Sequence, residues 1–190
     1  MKKLVSVAIA MLLAASVGFA AGEINVKAGY DLASSISISG ENGGSGLSAD
    51  GVEVGAEFLM PVANMVKVGG GVSYLLARDV YKKDGYKTNV NFSYIPIYAT
   101  IQVNPISTLP GIFLKGNIGY SVFSLGGDGS TGAETSGGLY YSAGAGYEFP
   151  FGLIAELAYF GVNSSLKFGD DTQDVTYGAL AIRAGYKFKL

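Results

Sequence analysis

The residues able to carry chemistry in this sequence are its carboxylates, lysines and arginines, because it contains no histidine and no cysteine. Proton transfer near neutral pH therefore lacks the side chain whose ordinary pKa suits it best. No thiolate nucleophile and no disulfide framework can be built either. What remains is a set of ten charges recurring within apolar segments: Lys27, Asp31, Glu53, Glu57, Lys67, Lys115, Glu148, Glu156, Arg183 and Lys187. A Glu or Lys among them could act as acid or base if its pKa were displaced, but mutual ion pairing accounts for the same residues more simply. The expectation is that the protein is not an enzyme and that it carries no cofactor and no catalytic metal.

Weaker signals lie between these segments. The clusters Gly43-Gly44-Ser45-Gly46 and Gly126-Gly127-Asp128-Gly129 could suggest phosphate cradles, yet neither opens a predicted helix, and both read as loops. Asp170, Asp171 and Asp174 could gather a divalent cation, though a solvated acidic loop explains them as well.

The elements that must position the ten charges are strands. Eight stretches place apolar residues at every second position for about ten residues each. They run over 24–32, 52–60, 66–76, 94–103, 112–122, 139–149, 153–160 and 180–190. In the first, Ile24, Val26, Ala28, Tyr30 and Leu32 oppose Asn25, Lys27, Gly29 and Asp31. In the last, Leu180, Ile182, Ala184, Tyr186, Phe188 and Leu190 oppose Arg183, Gly185, Lys187 and Lys189. Two segments are irregular. Pro96 removes a ladder donor from the fourth and predicts a bulge or a missing bond, and Ile154 and Phe160 break the alternation of the seventh.

Ahead of the strands, Lys2 and Lys3 precede an apolar run from Leu4 to Val17, and Gly18 and Ala20 flank Phe19. This predicts a signal peptide over residues 1–20, cleaved after Ala20, with one domain over 21–190. Without Lys2 and Lys3, 11 basic residues face 15 acidic ones, which excludes a basic footprint for nucleic acid. Mean hydropathy is +0.34, yet after the leader no run is long enough for a membrane-spanning helix. A non-helical chain can cross lipid only as a closed sheet, because every backbone group must be paired internally.

The ten charges decide which face of that sheet meets lipid. All of them oppose the aliphatic face, and a Lys or Arg at mid-bilayer on the lipid side costs about 2–4 kcal/mol. The charges are therefore expected in the lumen, where eight strands leave room for little beyond side chains. This predicts a polar core of ion pairs. Tyr30, Phe58, Tyr74, Tyr120, Tyr147, Phe149, Tyr159 and Tyr186 fall outward near the strand ends, as two girdles of amphipathic rings would. Short turns are expected at 61–64, 104–110 and 149–152, and long polar connections at about 33–50, 77–89, 124–137 and 161–174. Short periplasmic turns and longer extracellular loops would leave both mature termini on the periplasmic side.

At the C-terminus Arg183-x-Gly185-x-x-Phe188-x-Leu190 resembles the assembly signal of outer-membrane proteins, with leucine in place of the usual final phenylalanine. Together with the eight segments, the chain resembles the small OmpA/OmpX-type barrels of Gram-negative outer membranes. The resemblance implies an all-β, eight-stranded antiparallel up-and-down barrel, monomeric, in contact with lipid and lipopolysaccharide and delivered by the barrel-assembly machinery. Barrel enzymes of that membrane resemble one another in using a histidine, which this chain lacks. Arg78, Lys82, Lys83 and Lys87 are candidates to meet lipopolysaccharide phosphates. The function expected is structural or surface-interacting, through four extracellular loops; the alternative is a narrow, porin-like channel for ions or small solutes.

Overall fold

The computed structural model describes residues 22–38, 45–47, 50–81, 87–126, 133–168 and 171–190. The leader, Gly43, Gly44, Gly127 to Gly129, Lys82, Lys83 and Asp170 lie outside them.

Alternating apolar positions rich in β-branched and aromatic side chains favour extended backbone. The chain accordingly forms β1 (Glu23–Ile38), β2 (Ser45–Leu47), β3 (Val52–Ala63), β4 (Val66–Tyr81) and β5 (Lys87–Val103). It continues through β6 (Ile112–Gly126), β7 (Ala133–Ser136), β8 (Gly138–Glu148), β9 (Leu153–Phe168) and β10 (Asp171–Lys189). Eight long strands follow the order β10-β1-β3-β4-β5-β6-β8-β9, and β9 pairs back to β10, so the sheet closes. All pairings are antiparallel. The seam between the first and last strands runs from Glu23↔Lys189 to Ile38↔Val175. Short β2 adds to β1, and β7 continues the line of β8 beside β9.

The strands are longer than the alternation predicted, and the expected long connections are correspondingly shorter. The segment 161–174 was expected as a loop, but it is almost wholly ladder, with Phe168 paired to Asp171 across a two-residue gap. Likewise β1 runs to Ile38, β4 to Tyr81, β5 starts at Lys87 and β6 ends at Gly126. The physical reason shows in β1, β9 and β10, whose upper stretches carry Ser35, Ser37, Asn163 and Thr176 on the outer face. They lose the apolar alternation while their backbone still pairs. A span of the bilayer needs about 9–11 residues per strand, so β10, with 19, extends well past it.

Two irregularities set which side chains point inward. A bulge at Leu32 separates Asp31↔Ala181 from Ala33↔Leu180 and reverses parity, so that Ile36 is buried above it. Opposite Pro96 the β4–β5 ladder passes from Val72↔Ile97 to Leu75↔Tyr94, and a register shift follows after Leu75. Pairing of Pro96 with Ser121 on the other side is unbroken. The first turn is tighter and later than expected: β3 runs to Ala63, and Asn64-Met65 reverse the chain. In the third turn Gly152 has φ 95° and its N–H donates to Phe149 O at 2.9 Å, with Pro150 between them. A left-handed glycine closing a proline turn is one of the short hairpin solutions.

Candidate functional site

Among the described residues, the ladder brings the charged side chains together in the lumen. Lys27 on β1, Glu53 and Glu57 on β3, Lys115 on β6, Glu156 on β9 and Arg183 on β10 are all buried. Lys27 Nζ lies 2.6 Å from Glu57 Oε1 and 3.2 Å from Glu156 Oε2. Lys115 Nζ lies 2.8 Å from Glu57 Oε2 and 3.3 Å from Glu156 Oε2. Arg183 donates from Nη1 to Glu156 Oε1 at 2.8 Å and from Nε to Glu53. Three cations thus face three carboxylates, and each carboxylate is shared or hydrogen-bonded, as a buried ion group requires. Tyr98 adds a hydrogen bond to Glu57 at 3.1 Å and meets Ser73 at 3.2 Å.

A second ion group lies at the end of the barrel where the turns are, here termed the turn end. Lys67 reaches Glu23 at 2.8 Å and Glu148 at 3.0 Å, Lys187 reaches Glu148, and Gln102 donates to Glu148 at 2.8 Å. Asp31 accepts a hydrogen bond from Tyr177 at 2.8 Å. Inward glycines give these side chains their room. A Cβ on Gly71 would lie 2.8 Å from both the Tyr98 ring and Glu57 Cγ.

The expectation of a polar core holds for only half of the lumen. Toward the opposite end, the loop end, Phe92, Tyr94, Tyr98, Phe123, Tyr140, Phe160 and Tyr177 form a connected layer of rings. Tyr94 lies 4.8 Å from Phe123 and 5.8 Å, stacked, from Tyr177. Phe160 lies 5.7 Å from Tyr177 and 6.3 Å from Tyr140. Leu75, Ile36, Val162 and Val175 complete the cluster. The two layers touch where the Arg183 guanidinium lies 5.7 Å from the Phe160 ring.

These rings were missed because a polar interior was inferred from the charges alone. Phe123, Tyr140, Phe160 and Tyr177 share the parity of the charges on their own strands, and Tyr94 and Tyr98 that of Thr100 and Gln102, so the signal was present. Phe92 and Tyr177 fell just outside the alternating segments expected over 94–103 and 180–190, and Phe160 was read as an exception. Ile154, the other exception, also points inward and is buried.

Between the layers a cavity of about 10 Å3 is lined by Lys27, Glu53, Ser73, Tyr98 and Arg183 among others, about enough for one water. Nearer the turn end, both polar atoms of Asn25, Thr100 Oγ1, Gln102 Oε1 and Asn117 Oδ1 are buried without a protein partner.

On the exterior, Tyr30, Tyr74, Tyr120, Tyr147, Tyr159 and Tyr186 are exposed, while Phe58 and Phe149 are half-buried. Of the C-terminal motif, Arg183 and Gly185 face the lumen, whereas Phe188 and Leu190 are exposed. Arg78 and Lys87 lie on β4 and β5. Asp171 opens β10, and Asp174 accepts a hydrogen bond from Ser165 at 3.1 Å. Among the described residues no three His, Cys, Asp or Glu side chains gather as a metal site would require.

Over residues 5–188 the sequence matches the family described as outer membrane protein beta-barrel domain. Comparison with curated protein sequences gives no significant match. Among solved structures, the fold is similar to Neisserial surface protein A, at 17% identity and a TM-score of 0.53, over 87% of this chain and 97% of that one. It is similar to the Yersinia pestis protein Ail in a phospholipid bilayer nanodisc, at 16% identity and a TM-score of 0.51, over 90% and 100%. It is also similar to AlkL in DMPC lipid bilayers, at 13% identity and a TM-score of 0.54, over 92% and 93%. At such identities the likeness is one of fold. The closed antiparallel wall explains why that fold suits a bilayer, and the match across nearly the full length identifies it: the chain belongs to the outer membrane protein β-barrel domain family, and its place is the outer membrane.

Proposed function

We propose that this protein is a closed-lumen barrel that works through its loop end, as a structural or surface-interaction protein, and is neither an enzyme nor a standing pore. The observation that carries the reading is the succession of two filled layers across the lumen, with a cavity of only about 10 Å3 between them. A solute would have to break the ion group and then part the rings. Surface function then rests on strands that extend past the bilayer, such as β9 with 16 residues and β10 with 19. In this reading the turn end and both mature termini are periplasmic, residues 1–20 are removed, and the C-terminal motif is read by the assembly machinery. Lipopolysaccharide is the neighbour of the loop end, with Arg78, Lys82, Lys83 and Lys87 as its candidate contacts. The purified, refolded barrel should give no steady single-channel current in a planar bilayer; sustained openings would refute the closed-lumen reading.

One observation favours a channel as the second reading. The unpartnered polar atoms of Asn25, Thr100, Gln102 and Asn117 call for water inside the turn-end half. Conduction would then need the ion group and the ring layer to part. Current that appears when Tyr94 and Phe123 are both replaced by Ala, and is absent before, would assign the seal to the rings alone.

A further inference from the structure

A seal of rings needs no hydroxyls, yet Tyr94, Tyr98, Tyr140 and Tyr177 supply four of the seven rings in the layer. Two of these phenols are bonded to carboxylates. Tyr177 donates to Asp31 at 2.8 Å and Tyr98 donates to Glu57 at 3.1 Å, and all four side chains are buried. A phenol in that geometry gives up an electron more readily than an isolated one, because its proton can pass along the hydrogen bond as the electron leaves. Without such a base, oxidation would leave a radical cation in the interior, and a new buried charge is costly. Few other side chains compete for oxidation. The chain has no cysteine, tryptophan or histidine, and beyond residue 20 its methionines are Met60 and Met65, at the turn end.

The two bonded phenols are not equivalent. Glu57 already holds Lys27 at 2.6 Å and Lys115 at 2.8 Å, so a proton placed on it would leave two buried ammonium groups poorly balanced. Tyr177 makes the shorter bond to its carboxylate, and it also lies beside the thinnest part of the wall. Gly178, the next residue, pairs with Gly161 across β9 and β10. On the outer face, half-exposed Tyr159 leans over this glycine pair, so that a Cβ on Gly178 would lie 2.6 Å from its hydroxyl. Tyr141 covers Gly161 in the same way, at 2.3 Å. A single layer of backbone therefore separates an outer phenol from an inner one. Inside, Tyr94, Phe92 and Phe160 surround Tyr177 at 5.8, 5.4 and 5.7 Å and shut out any bulky reactant.

We infer that the wall carries a one-electron relay, in which Tyr159 gives a hydrogen atom to a peroxyl radical at the outer surface and Tyr177, with Asp31 as proton acceptor, then holds the oxidising equivalent. The first step breaks the Tyr159 O–H bond and forms the O–H bond of a hydroperoxide. In the second, an electron passes from Tyr177 to the Tyr159 phenoxyl. Tyr159 regains its proton from interfacial water, leaving hydroxide to the buffer, while the Tyr177 proton moves to Asp31. In sum, the peroxyl radical is reduced by one electron and Tyr177 is oxidised by one. Exposed phenoxyls end by coupling to dityrosine; the rings around Tyr177 keep a second phenoxyl away from it. This activity goes beyond the closed-lumen reading and does not depend on it.

The full-length barrel is refolded into vesicles of saturated phosphatidylcholine, and folding is checked by heat-modifiable migration. It is then warmed in air with a water-soluble azo initiator, which releases peroxyl radicals, and frozen at intervals after the initiator is removed. Electron paramagnetic resonance should show a tyrosyl signal that persists. In Tyr177→Phe the persistent signal should be lost and dityrosine fluorescence should rise, because the oxidising equivalent stays on outer rings. Asp31→Asn, which keeps the ring and removes the base, should behave as Tyr177→Phe does, and it carries the test if that variant fails to fold. Tyr159→Phe should build the signal more slowly and leave its decay unchanged. A signal that decays equally fast in the unaltered barrel and in Tyr177→Phe would overturn the inference. Persistence unaltered by Asp31→Asn, or a rate of build-up unaltered by Tyr159→Phe, would overturn it as well.

Discussion

The ion group and the ring layer fill one lumen by opposite means. The ion group holds six charges on five strands through short, directional contacts, and inward glycines make space for them. The ring layer packs seven aromatic side chains mainly by shape, with directional contacts only at hydroxyls such as those of Tyr98 and Tyr177. Their surroundings differ as well. Arg183 lies between outward Ile182 and Ala184, inside the apolar wall, whereas Tyr177 lies between Thr176 and Gly178, where that wall gives way to polar residues. A charge stranded in the first place meets hydrocarbon beyond a single layer of backbone. A gap opened in the second lies near water. The chemistry that is least tolerant of an error is thus placed where water can least repair one.

The largest effect is expected at Glu156, which faces Lys27, Lys115 and Arg183. Glu156→Gln leaves their charge unbalanced and should cost about 3–5 kcal/mol, read from urea unfolding in vesicles. Phe160→Ala in the ring layer should cost less, about 3 kcal/mol, because water entering from the loop end can fill part of the gap. If Phe160→Ala proves the more damaging, the contrast between the layers is wrong. The same variant should stay silent in conductance measurements, since the ion group beneath it is intact.

Smaller substitutions sharpen the contrast. A Cβ on Gly146 would meet the Phe113 ring at 2.3 Å, so Gly146→Ala should destabilise by about 2 kcal/mol through overpacking. Tyr177→Phe removes the hydrogen bond to Asp31 while keeping the ring. A loss of about 1 kcal/mol is expected in the same unfolding assay. A loss as large as that for Glu156→Gln would mean that Asp31 belongs energetically with the ion group.

Much of the wall was legible in the sequence. Lys27, Glu57 and Arg183 could be placed on one face because period-two alternation and the cost of a charge in lipid leave a single orientation. The three turns were also legible, since Pro150 and Gly152, or Asn64 between two apolar runs, punctuate the chain locally. The upper halves of β9 and β10 were not. Asn163, Ser164 and Ser165 carry no apolar pattern, and their extended state rests on partners such as Thr176, Val175 and Asp174 on the next strand.

By itself, then, the sequence determined the number of long strands, their closure and the side on which charge resides, because lipid exclusion acts on every residue locally. Only the tertiary structure decided which charge meets which. Lys27 and Glu156 are 129 residues apart and become neighbours only through closure, tilt and register. It also decided that seven inward rings gather into a layer of their own. Parity says that a side chain points inward; the height at which it meets others is set by the bulge at Leu32, the register shift beyond Leu75 and the stagger of the whole ladder.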